Sequence, residues 1–151
     1  MARPVLLSNP AMSDRFPGAA PDPPSLAAFD DMVHDAYAAL PAAFRRLTEG
    51  LVLRVAEFAA AEALAGLGID SPWDLLGLFQ GIGIAHDAAV PTTGRLPNMV
   101  FLYRKPILAY SAARGETAAA VITHVLVHEI GHHFGFSDDD MVAIERAAGS
   151  D

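Results

Sequence analysis

Ala118–Phe134, AAAVITHVLVHEIGHHF, constrains this chain more than any other stretch. Its apolar residues run almost all the way round a helix, which demands burial on most sides. It also carries His124, His128, His132, His133 and Glu129, so it is no membrane span, and those polar groups need a purpose inside a folded domain. The helix is expected over Glu116–Phe134, with Gly135 free to take the left-handed conformation that ends it.

Within the run stands His128-Glu129-Ile130-Gly131-His132, an H-E-x-x-H pattern. Residues i and i+4 of a helix project from one face a turn apart, so His128 and His132 can take two corners of a tetrahedral Zn²⁺. Glu129 flanks the same face and can act as general base on a water at the metal. A catalytic zinc takes three protein ligands and leaves a position open. His132-x-x-Gly135-x-x-Asp138 offers the third, because the chain can reverse after Gly135 and bring the Asp138 carboxylate back over the helix end. The alternative reading of Asp138 is a helix cap with Asp139 and Asp140. Glu145, on the closing helix, is a further alternative ligand. His124 extends the imidazole stripe by one turn, but the three span about 12 Å of helix, too long for one ion. It reads as a histidine satisfied at the helix margin, or as a substrate or oxyanion contact. His133 points about 100° away from His132 and reads as packing or as support behind the ligands. Gly131 costs the helix about 1 kcal/mol against Ala, which a close backbone crossing would explain.

The remaining chain has to surround this helix. At 151 residues it fits one domain with one core. A net charge of −8 with no basic block argues against nucleic acid and against an anionic membrane surface. Without cysteine there are no disulfides, thiolate metal sites or cysteine nucleophiles. The only apolar stretch near the start, Val5-Leu6-Leu7, is too short for a signal peptide, so a cytoplasmic location is expected.

Residues 1–25 hold six prolines without strand alternation and read as a disordered tail, with residues 26–151 as the single domain. Ser25 is an N-cap for a helix carrying Leu26, Phe29, Val33, Tyr37 and Leu40, followed by a short turn or helix at PAAFRRL. Strands are expected at Leu51–Phe58, Leu78–Ile82 and Asn98–Arg104, the last apolar on both faces. Short helices fit AAEALAGLG and PILAYSAA, His86–Pro97 reads as a loop, and Ser137–Ala148 as a closing helix. The result is an α+β fold, a small three-stranded sheet packed beside the H-E-x-x-H helix.

LLGLFQG (Leu75–Gly81), MVFLYRKPIL (Met99–Leu108) and HVLVHEIGHHFGFSDDDM (His124–Met141) together resemble the small bacterial zincin-like metallopeptidases, or minimal zincins, over Leu26–Ala148. The resemblance implies a compact zincin core with His128 and His132 as zinc ligands, Glu129 as general base and Asp138 as third ligand. Asp138 stands where metzincins have histidine, and too little chain follows for a metzincin Met-turn; Met141 is too close to be its counterpart. The expected activity is zinc-dependent hydrolysis of a peptide or unstructured protein segment, with His124, Tyr103 or Tyr110 as second oxyanion donor. Asn98–Arg104 is the expected edge strand for the peptide. The rival reading is a zincin-fold module that keeps zinc without turnover and binds a protein partner.

Overall fold

The computed structural model describes residues 3–6, 23–81 and 98–149. Three strands and the helices around them fall close to the expected places. They are α1 (Leu26–Ala38), α2 (Ala42–Leu47), β2 (Val52–Ala56), α3 (Ala61–Leu67), β3 (Leu75–Gln80), β4 (Met99–Tyr103), α4 (Arg104–Arg114), α5 (Ala118–His133) and α6 (Asp138–Gly149). Local chemistry sets the ends. Ser25 caps α1 by accepting from the Ala28 amide at 3.1 Å, and Gly115 ends α4 at φ 69°. Ser71 caps a single 3₁₀ turn, Pro72–Asp74, that leads into β3.

A fourth strand joins the sheet. β1 (Arg3–Leu6) pairs antiparallel with β3, giving the order β1-β3-β4-β2. Residues 1–25 were expected as a tail without strand; four residues are too few to show alternation, and Pro4 is tolerated because edge strands leave some N–H groups unbonded. Residues 7–22 of that tail, and the loop expected at His86–Pro97, lie outside the described residues. β3 and β4 are antiparallel, β2 and β4 parallel. β4 is therefore interior, and Asn98–Arg104 is not the open edge expected for a peptide.

Both faces of the sheet are covered, as the apolar β4 requires. Val100, Leu102 and Phe79 face the main core with Phe29 and Val33 of α1 and Val121, Val125 and Leu126 of α5. Leu75, Leu78 and Tyr103 face a smaller cluster with Leu64 and Leu67 of α3. Pairing skips from Val5↔Gly77 to Leu6↔Leu75, so Leu76 is an extra residue that shifts the alternation, leaving Leu76 in the core of Phe79 and Leu75 in the cluster of Leu78. Among the described residues no helix is long and apolar enough to cross a membrane.

Gly77 sits where α5 lies close against the sheet. A Cβ there would stand 2.5 Å from Val125 Cγ1 and 3.1 Å from the Phe101 carbonyl oxygen. The missing side chain at position 77 is what permits this approach of strand and helix.

Candidate metal centre

α5 begins at Thr117, whose hydroxyl accepts from the Ala120 amide at 3.1 Å. It ends in a Schellman turn: Gly135 takes φ 79°, its amide donates to His132 O at 3.3 Å, and the Phe136 amide donates to Gly131 O at 2.9 Å. Ser137 then starts α6 with a reciprocal cap, accepting from the Asp140 amide at 3.1 Å while its own amide donates to Asp140 Oδ2 at 3.2 Å. The chain so reversed returns along α5. Met141 comes to lie against Gly131, and Glu145 reaches His124 and His128.

Gly131 makes this packing possible. A Cβ there would meet Met141 Sδ at 2.5 Å and Cγ at 2.9 Å. The glycine answers to a fully buried side chain from α6, not to the backbone crossing expected from the sequence.

The imidazole stripe is present. The His124 and His128 rings lie 4.0 Å apart and those of His128 and His132 6.0 Å apart. Glu145 bridges the first pair, Oε1 at 3.2 Å from His124 Nδ1 and Oε2 at 2.9 Å from His128 Nε2. The donor atoms of His124, His128 and Glu145 all lie within 4.8 Å of one another. Two imidazoles and a carboxylate at that spacing are a donor set that suits a zinc-like divalent cation. Burial, followed by the neighbouring His124, lowers the His128 pKa from its ordinary 6.5, against the opposing pull of Glu145. His128 is accordingly held in the neutral form that a metal ligand needs.

His132 and Asp138 are exposed, Asp138 in the first turn of α6, and neither belongs to that close group. Asp138 and Glu145 are seven residues apart on one helix, hence on nearly the same face, about 10 Å apart along the axis. Asp138 lies towards the His132 end of the stripe and Glu145 towards the His124 end. The pairing of His124 with Glu145 was open to sequence reasoning only through the antiparallel return of α6, which seven-residue spacing on one helix and four-residue spacing on the other make possible.

Glu129 points elsewhere. It is 1% exposed, and its Oε1 accepts the Phe79 amide of β3 at 2.8 Å. Burial, and then the Glu129 charge, push the Tyr103 phenol up from 10.0 to about 12. His133 stacks on Phe79 with ring centroids 4.0 Å apart, a packing contact, which is one of the two roles expected of it. Tyr110 is buried and its hydroxyl accepts from Arg114 Nε at 3.0 Å, within α4.

A buried carboxylate on a sheet amide, beside a helix bearing an imidazole stripe closed by a second helix, defines a protein of the zincin class. The chain belongs to the zincin-like metallopeptidase family, whose model matches residues 48–148. The match begins after α2, short of the Leu26 start read from the sequence. No curated protein matches the chain.

Proposed function

We propose that this protein is a zinc-dependent peptidase acting on a peptide or unstructured protein segment, with Glu129 as general base. The observation that carries the reading is the position of Glu129. A purely structural metal site has no use for a buried carboxylate fixed at 2.8 Å on the backbone of a neighbouring strand. His128 and His132 hold the ion, with Asp138 as third ligand. Around the helix Glu129 is about 60° from His132 and 100° from His128, but about 140° from His124. The His128–His132 pair therefore shares a side with the base, and the His124–His128 pair does not. Bound zinc supplies an acidified water and a Lewis-acid contact for the scissile carbonyl. Glu129 accepts the proton of the attacking water and returns it to the leaving amine, and the Phe79 amide keeps its carboxylate in place between those two transfers. Glu145 orients His128 from the far side of the stripe.

The closeness of His124, His128 and Glu145 favours a second reading, a zinc-keeping module without turnover that binds a protein partner. An ion held by those three lies away from Glu129. Cleavage of an unstructured, doubly labelled peptide and zinc content are to be measured together in Glu129→Gln, Asp138→Asn and Glu145→Gln. The peptidase reading expects Glu129→Gln to abolish cleavage with zinc retained, and Asp138→Asn to weaken zinc about tenfold or more. Zinc weakened by Glu145→Gln alone, with no cleavage by wild type, would establish the module instead.

A further inference from the structure

β1 fills an edge that the rest of the domain leaves open. It is four residues long, pairs with β3 antiparallel, and loses register between Val5 and Leu6. It lies outside residues 48–148, which carry the family match. Residues 7–25 connect it to α1, a span well beyond the about 4–6 residues usual between packed elements. Strand addition to such an edge recognises a peptide through its backbone, with side chains as a secondary filter.

What distinguishes this edge is the group that reaches it. At the register position Arg3↔Phe79 the Phe79 amide donates to Glu129 Oε1 at 2.8 Å. At Val5↔Gly77 the strand puts no side chain towards α5, and a Cβ would stand 3.8 Å from Glu129 Cγ. α5 packs across β1 as well as β3. A strand on this edge runs past the carboxylate assigned above as base.

We propose that the β3 edge is the peptide-binding edge of this protein and that Arg3–Leu6 occupies it in cis. An extended, unstructured peptide binds by displacing β1 and adding antiparallel to β3 in the same register. The inhibitory meaning of this contact rests on the peptidase reading; the binding does not. A cis occupant multiplies the intrinsic affinity by the fraction of molecules with the edge open, so the apparent Kd is the intrinsic Kd divided by that fraction.

The full chain carrying Arg3→Pro and Val5→Pro leaves residues 3–5 without any N–H and so without a strand. A fluorescent peptide with the sequence of Ala2–Leu7 is titrated into this variant and into wild type, read by anisotropy. The variant is expected to bind at least about tenfold tighter. Equal affinity, binding to neither, or dimerisation of the variant in place of peptide binding would each overturn the proposal. A second measurement needs no variant. Saturating wild type with unlabelled peptide should speed amide exchange at Val5 and Leu6 while β4 stays protected, and unchanged protection at those residues overturns the proposal too. Peptide binding without cleavage of any substrate would sink the peptidase reading alone. Cleavage with the same KM in wild type and variant would sink the cis-occupant reading alone.

Discussion

Gly77→Ala tests how the candidate base is brought to the sheet. The added methyl would stand 2.5 Å from Val125 Cγ1, where ordinary carbon contacts are about 3.5–4.0 Å, an overlap of about 1 Å. Val125 is fully buried and β-branched in a helix, so it has one strongly preferred rotamer and cannot swing away. The Phe101 carbonyl oxygen, 3.1 Å from the same point, is backbone and cannot yield either. The helix has to lift. Overpacking of this kind costs about 1–3 kcal/mol, offset by about 0.5–1 kcal/mol from replacing glycine, a net loss of about 1–2 kcal/mol. Val125→Ala removes two buried methyl groups and leaves a cavity, costing about 2–3 kcal/mol. In the double variant the methyl added at position 77 occupies the space that Cγ1 vacates, so its loss should fall about 1–2 kcal/mol short of the sum. Urea unfolding of the four proteins gives the cycle, provided the slope stays constant. Amide exchange at Phe79 gives the consequence for the site, since lifting α5 loosens its bond to Glu129. Additivity within about 0.5 kcal/mol, or a Gly77→Ala protein as stable as wild type, would refute the close approach.

Two titrations follow from the site. Tyr103 should ionise near pH 12 in a spectrophotometric titration, apart from an unfolded reference near 10. Its folded pKa is the higher one, so the associated stability, about 2–3 kcal/mol, is present below pH 10 and is lost as pH rises through 12. Burial is the larger cause, so Glu129→Gln should leave Tyr103 well above 10; a return to 10 would refute the assignment. His128 is shifted the other way, below 6.5. Its contribution is therefore present above pH 6.5 and is lost as pH falls through the lower folded value. NMR titration of the metal-free protein should place its midpoint below 6.5, and a midpoint above that would contradict its burial.

Much of the fold was legible because it rests on local signals. Ser25 and Gly135 sit where caps and stops are chemically required, and a helix apolar all round could only be central. β4 could be recognised as a buried strand from its two apolar faces, but its place between β3 and β2 could not, because strand order depends on pairings remote in sequence. β1 was missed because Arg3–Leu6 is too short to carry a period and its pairing partner lies far along the chain, at Leu75–Phe79. At the site, H-E-x-x-H proposes a pair of candidate ligands and a candidate base through helical spacing alone. The carboxylate beside them is another matter. Asp138 is proposed by the turn at Gly135 and Glu145 is named as an alternative from its place on the closing helix, but the pairing of Glu145 with His124 and His128 becomes visible only once α6 is laid back along α5.

The positions of the two carboxylates of α6 are not independent of the H-E-x-x-H motif. The register of α6 on α5 is set where Met141 fills the space left by Gly131, inside H-E-x-x-H itself. A shift of α6 by one turn, about 5.4 Å, would carry Glu145 off the His124–His128 pair, and Asp138 would move relative to His132 by the same amount. On the side of the helix away from Met141, Gly77 sets the distance at which Glu129 meets the Phe79 amide. The helix contact and the strand contact are thus each fixed by a missing Cβ. That division explains why the histidine stripe can bind a helix partner while the intervening glutamate binds a strand. It also locates where the peptidase and the module diverge: in whether the ion is held by the His132 end of the stripe, beside the base, or by the His124 end, away from it.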